Sequence, residues 1–145
     1  YYTDFGSDEI LDRNDVVVTP HIGGSTAEAE TNGAIQGAGT IMTYLETGNI
    51  LNSVNLPNLQ VPFTTPYRIT LIHKNIPNMV GQIATALANA NINIEGMSNA
   101  AREDVAYTVI DVKHLQQEIE DELVTRLGKI DAVFRVRILK NPALA

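Results

Sequence analysis

Apolar and polar positions alternate in two different rhythms along this chain. Residues 67–74, YRITLIHK, alternate with period two and place Ile69 and Leu71 on one face of a strand. Residues 78–90 switch to a helical period, with Met79, Ile83 and Leu87 four apart and Val80 beside them. Residues 92–100, INIEGMSNA, return to a strand with Ile92 and Ile94 facing one way; Gly96 marks a bulge in it. Arg102, Glu103 and Asp104 form a polar turn into 105–112, VAYTVIDV, a β-type run. Leu115, Ile119, Leu123 and Leu127 recur every fourth residue and predict a second amphipathic helix, ended by Gly128. Residues 132–139, AVFRVRIL, alternate again, Phe134, Val136 and Ile138 against Val133, Arg135 and Arg137. The two arginines are expected on a solvated face. The order is βαββαβ, which predicts an α+β, ferredoxin-like domain over residues 67–142: four antiparallel strands with two helices on one face.

The first third follows a different pattern. Residues 7–14 are polar and suit a turn or short helix. Val16, Val17 and Val18 form a continuous apolar run stopped by Pro20, which suits a strand covered on both faces, as in a parallel sheet. After the loop at 21–25, Ser25 and Glu28 have the spacing of a capping box, and a helix is expected to about Thr47, with Gly48 just past its end. Gly33, Gly37 and Gly39 interrupt it, each at a cost of about 1 kcal/mol relative to Ala. Ala29, Gly33 and Gly37 make a small-residue stripe suited to close approach by another domain or subunit. Residues 52–66, NSVNLPNLQVPFTTP, hold three prolines and little periodicity, and are read as a linker between residues 1–51 and the βαββαβ unit.

Composition narrows the function classes. The chain has 145 residues, is 44% apolar and 19% charged, and has no cysteine. That composition is globular and leaves no disulfide or thiolate metal site. His21, His73 and His114 have no metal-ligand spacing, so no metal is expected; His114 is read as a surface residue. A net charge of −7 argues against nucleic acid or an anionic membrane as partner. An RNA-binding module shares the βαββαβ order, but needs aromatics on its central strands amid basic charge, and the third strand offers Tyr107 alone. No apolar run nears the roughly 18 residues that span a bilayer. The chain opens on Tyr-Tyr-Thr-Asp-Phe, with no initiator Met and no visible signal peptide, and is expected to be cut from something longer.

Two stretches carry chemistry. The first is VVVTPHIGGSTAEAE, residues 16–30. It resembles the last catalytic stretch of the D-2-hydroxyacid dehydrogenases, where a strand ends in Pro-His, two glycines follow, and a helix crosses back to the substrate domain. YLETGNILNSVNLP, residues 44–57, is similar to the branch of that family that oxidises 3-phosphoglycerate to 3-phosphohydroxypyruvate with NAD, at the entry to serine synthesis. The second stretch is the βαββαβ unit opening with LIHKNIPNMVGQI, which resembles an ACT domain, an amino-acid-sensing module.

The resemblance implies a cytoplasmic, oligomeric oxidoreductase. Its C-terminal portion would hold the last strand and crossover helix of a Rossmann-type dehydrogenase, followed by a regulatory ACT domain. His21 would be the catalytic acid/base, because the hydroxyl proton needs an acceptor when hydride leaves, and an imidazole with an ordinary pKa near 6.5 can take it. His21, Ile22, Gly23 and Gly24 would line the nicotinamide end of NAD. Outside the family, a His after Pro at a strand end is an ordinary turn residue. The family's substrate-binding Arg and the Glu that orients the His are expected upstream, and no G-x-G-x-x-G follows a strand here, so the fragment alone is expected to be inactive.

The ACT resemblance places His73, Asn75 and Asn93 at an effector site for L-serine or another amino acid, at a seam between domains paired edge to edge. Side-chain amides suit a zwitterion, donating to its carboxylate and accepting from its ammonium. One departure stands out: Asn78 replaces the family's usual glycine after the loop proline, a position that favours close backbone approach. Two other readings stay open. His73 and Asn75 can serve the turn alone, and the domain can be an assembly module that binds no ligand.

Overall fold

The computed structural model describes residues 1–144. They form two compact units, Tyr1–Gly39 and the residues from Thr40 onward, and helix 27–47 contains the division.

In the first unit, β1 (Tyr2–Thr3) pairs in parallel with β2 (Val17–Val18), Tyr2 opposite Val17 and Thr3 opposite Val18. A short helix, α1 (Asp8–Leu11), lies between them. The valine run is therefore a two-residue strand. Val17 is about half exposed rather than covered on both faces. Helix α2 (Ala27–Thr47) starts one residue later than its capping-box spacing suggests. Thr26 Oγ1 accepts from the Ala29 amide at 3.1 Å, which makes Thr26 the cap and puts Glu28 one position short of the place where it could reply. Among the described residues, a Cβ built on Gly33, Gly37 or Gly39 meets nothing within 4 Å, so these glycines face open space.

The second unit has the predicted order: β3 (Tyr67–Lys74), α3 (Met79–Asn89), β4 (Gly96–Arg102), β5 (Val105–Val112), α4 (Glu120–Gly128) and β6 (Val133–Lys140). The strands lie in the order β4-β5-β3-β6, with every neighbouring pair antiparallel. This is the ferredoxin-like arrangement. One sheet face packs on α3 and α4 around Ile69, Leu71, Ile110 and Val112 from the strands and Ile83, Leu87, Leu123 and Leu127 from the helices. The period-four spacing read from the sequence thus marks real core positions.

Two local expectations fail for one reason each. β4 begins at Gly96, so Ile92 and Asn93 precede the strand; Asn91 turns the chain with φ +56 and Ile92 drops into the core. On β6, Ile72 faces Arg135 and His73 faces Val133, which leaves Phe134 as an extra residue in a bulge. The alternation flips there: Val133, Val136 and Ile138 pack on the core, and Phe134 is 56% exposed.

The second sheet face is covered by residues 44–62 rather than by solvent. Ile50 and Leu59 exchange two backbone hydrogen bonds, and Tyr44, Ile50, Leu56 and Leu59 pack on Tyr107, Val109 and Ile72. Three strands also hold the end of α2. Tyr107 donates to Gly48 O at 2.6 Å, Arg68 to Thr47 O at 2.9 Å, and Arg137 to Tyr44 O and Leu45 O at 3.2 and 2.9 Å. The last carbonyls of a helix have no partner within it, and here side chains supply them. Arg137 also lies 4.6 Å from the Tyr44 ring centroid, so it is engaged rather than solvated.

Arg68 is the most connected side chain and is fully buried. Its Nε and Nη2 make a fork to Asp111 at 2.7 and 2.9 Å. Nη2 also reaches Pro62 O at 2.8 Å, and Nη1 reaches Val61 O at 3.0 Å in addition to Thr47 O. The guanidinium stacks 4.5 Å from the Phe63 ring centroid.

Gly48 closes the helix with φ +71, and a Cβ there would lie 2.8 Å from Thr70 Cγ2 and 3.0 Å from Leu139 Cδ1. Gly48→Ala is expected to cost roughly 1–3 kcal/mol, read as a lower urea midpoint at unchanged slope. Burial pushes the Tyr107 phenol up to about 12. The folded state therefore holds that proton more tightly than the unfolded state, whose tyrosine titrates near 10. This contribution is complete below about pH 10 and is lost as the pH rises through 12. Tyr107→Phe should destabilise by about 1–2 kcal/mol at pH 7, and denaturation between pH 9 and 12 should show a shallower alkaline decline than the native chain.

Candidate functional site

The sequence motif around His21 lies in the first unit. Pro20 ends the β2 stretch, and His21 follows on an exposed loop. Its Nδ1 lies 3.0 Å from Asp4 Oδ2, and its ring centroid is 4.5 Å from that of Phe5. Asp4, carried just past β1, thus gives the ring a carboxylate neighbour within this chain. A carboxylate on Nδ1 fixes the ring and leaves Nε2 as the group that can take or give a proton. Ile22 is 62% exposed, and Gly23 and Gly24 have no atom within 4 Å of where a Cβ would stand. The loop is therefore an open strip of backbone beside an oriented imidazole.

The three proposed effector residues do not form one cluster within the chain. His73 lies at the end of β3 and is buried. Its Nδ1 is 2.8 Å from Lys74 O and its Nε2 2.8 Å from Thr108 Oγ1, which also lies 2.8 Å from the side-chain amide of Asn99. A carbonyl oxygen can only accept, so Nδ1 carries a proton. Both ring nitrogens are therefore engaged inside the domain.

Asn75 is exposed at the same end of the sheet and is tied to the β4–β5 hairpin. Its amide nitrogen donates to Asp104 O at 2.8 Å, and its Nδ2 to Glu103 O at 3.0 Å. Asn93 sits beyond the opposite end of β4, where Nδ2 donates to Glu95 Oε1 at 3.2 Å and Glu95 pairs with Lys113 at 2.9 Å. That pair lowers the Glu95 carboxyl below its ordinary value, chiefly through the Lys113 hydrogen bond. The length of β4 separates the two asparagines by roughly 20 Å at about 3.3 Å per residue.

Asn78 adopts the left-handed conformation, φ +67 and ψ 9, immediately before α3. Asn tolerates this region better than most residues with a side chain, so the loop keeps its turn without glycine. The side chain makes no capping hydrogen bond. It lies over the first helical turn, with Oδ1 2.5 Å from the place a Cβ on Gly81 would occupy. The missing side chain at 81 thus makes room for the one at 78. His114 is exposed, as expected.

The residues that sequence reasoning missed are Asp4, Arg68 and Asp111. Asp111 is the one charge in the largely apolar run of β5, which was an available signal, whereas Arg68 falls on an ordinary polar position in the alternation of β3 and gave none. Among the described residues no group of three or more His, Cys, Asp or Glu could hold a metal ion, and no helix is long and apolar enough to cross a membrane.

The strand order and the two helices on one face define a ferredoxin-like α+β module, the arrangement expected of an ACT domain. Over nearly its whole length the chain is related to D-3-phosphoglycerate dehydrogenases. The enzyme of Haemophilus influenzae is 35% identical over 127 residues, covering 87% of this chain and 30% of the relative. D-3-phosphoglycerate dehydrogenase 1 of Saccharomyces cerevisiae is 29% identical over 136 residues, covering 90% and 29%. The chain spans about 30% of the length of these curated relatives. No protein-family model matches it. Among solved structures, the ACT domain from GTP pyrophosphokinase of Chlorobium tepidum overlays half of the chain and 95% of that domain, with 19% identity and a TM-score of 0.45.

Thr108 holds His73 in place from the neighbouring strand. Thr108→Val keeps the shape, removes the hydroxyl, and leaves the ring nitrogen and Asn99 without that partner. A loss of about 1–3 kcal/mol in denaturant unfolding is expected, together with a shift in the His73 ring signals by NMR.

Proposed function

We propose that this chain is the C-terminal regulatory portion of an NAD-dependent D-3-phosphoglycerate dehydrogenase. Residues 1–51 would close the catalytic domains, 52–66 connect, and 67–142 form the ACT domain. The observation that supports this best is a Pro-His-Ile-Gly-Gly loop with an oriented imidazole, followed in one chain by a βαββαβ module. In the parent enzyme His21 would take the hydroxyl proton of 3-phosphoglycerate on Nε2 while Asp4 holds Nδ1. NAD, when bound, would accept the hydride. Ile22 and the open backbone of Gly23 and Gly24 fit a flat ring lying against the loop.

The ACT domain would pair with a second copy through β4. This is an edge strand, and from Gly96 to Ala101 it carries neither Lys nor Pro, the usual guards against edge pairing. A two-fold antiparallel pairing of β4 with itself reverses the strand. It brings Asn75 of one copy to the end where Asn93 of the other lies. The two amides that are far apart in one chain become neighbours across the seam, and there they suit the carboxylate and ammonium of L-serine. Serine would favour one arrangement of the pair and so shift its population.

One observation favours a second reading, an assembly module that binds no effector: both nitrogens of His73 are engaged within the domain, and its ring is buried. A thermal titration separates the two. With L-serine at a hundred times its dissociation constant, the native state gains roughly 2.7 kcal/mol, a rise of several degrees in a chain of this size. The rise should be absent with D-serine and should be lost in Asn75→Ala and Asn93→Ala. A flat response to tens of millimolar serine would establish the assembly reading.

A further inference from the structure

Residues 48–62, which cross the sheet face opposite α3 and α4, form a strap with no regular secondary structure except the Ile50–Leu59 bridge. Their apolar attachment is small. On that face only Ile50, Tyr107 and Val109 are buried as a cluster, against ten buried residues on the helix face. The two clusters lie on opposite sides of the sheet, so the helix-side core does not depend on the strap. Polar bonds make up the difference. Arg68 holds both ends of the strap, through Thr47 O before it and Val61 O and Pro62 O at its far end, and anchors all three to Asp111 on β5. Tyr107 holds Gly48 O between them, and Asn141 donates to Phe63 O at 2.8 Å just beyond.

We propose that the strap is a releasable latch, with Arg68 as the residue that closes it. One guanidinium gathers carbonyls from two segments that are adjacent in space but fourteen to fifteen residues apart in the chain (Thr47 against Val61 and Pro62). Losing that side chain's grip removes both anchors at once, so the strap opens as a unit instead of fraying residue by residue. The sheet and its helices stay folded on their own larger core, which makes the opening sub-global. Opening uncovers Ile72, Tyr107 and Val109 and frees Thr47 O and Gly48 O, while Arg137 keeps Tyr44 O and Leu45 O. Only the final residue of that helix is therefore held or released together with the strap.

Hydrogen exchange on the whole chain tests this. The reporters are the amides of Ile50, Leu59 and Val61, which donate to Leu59 O, Ile50 O and Asn49 Oδ1, and the amides of Leu71 and Ile110 in the central strands. In the native chain the strap amides should be protected yet exchange at least about 10-fold faster than the central-strand amides, through their own opening. Arg68→Lys keeps the charge but loses the fork. It should speed strap exchange by a further factor of about 10 or more while the central-strand amides change less than about threefold. Tyr107→Phe, which removes one anchor without touching the buried ion pair, should produce a smaller change of the same kind. Two results would overturn the proposal: strap amides that exchange at the rate of the central strands in the native chain and in Tyr107→Phe, or strap amides with no protection in the native chain. If Arg68→Lys does not fold, the native chain and Tyr107→Phe decide between these outcomes.

Discussion

A guanidinium with five N–H donors is difficult to bury, because any donor left without a partner costs about as much as several good contacts return. Arg68 solves this within a single chain. Nε has one carboxylate oxygen, Nη2 has the other and Pro62 O, and Nη1 has Thr47 O and Val61 O. Asp111 balances the charge. Satisfying all five donors requires the end of α2, the far end of the strap, β3 and β5 to be in one place. The side chain therefore acts less as a source of stability than as a specification of position, since a buried ion pair contributes little net energy over apolar packing but penalises every arrangement that breaks it.

The sheet consequently has two faces of different character. The helix face is a conventional apolar core set by residues spaced four apart on α3 and α4. The strap face is polar at its centre, with Arg68, Asp111, Tyr107 and Arg137 each directed at carbonyls or at one another. β4 and β6 are the two outer strands, and the amides of Asn75 and Asn93 stand at the two ends of β4. A site built from them needs a second copy, which is why no arrangement of one chain assembles it.

Periodicity alone reached the order of elements, because strands and helices here bury one face and their apolar residues repeat at 2 and about 4. Ile69 with Leu71, and Ile83 with Leu87, fell where they were expected. Phe134 did not, since a bulge adds a residue without leaving any mark in the hydrophobic pattern. The strap resisted reading for another reason. The prolines and scattered apolar residues of 48–62 describe a free linker and a docked one equally well; what docks it is a buried charge on a different segment. Similarly, Asp4 reads as an ordinary loop acid until the fold brings it beside His21. The loop containing His21 was legible only through its likeness to a known family, and its own residue types would have described a turn.

Asn78 and Gly81 carry a consequence for the history of this loop. The carboxamide at 78 occupies the volume that a methyl group at 81 would need. The two positions therefore do not vary independently. A lineage with alanine at 81 meets a clash on acquiring Asn78, whereas one with glycine at both can take Asn78 in a single step. Once Asn78 is present, the helix gives up the roughly 0.5–1 kcal/mol that alanine would add at 81. Mutational order is thus written into two residues of one helical turn, and sequences that combine Asn at the first position with a larger residue at the fourth should be rare among relatives of this chain.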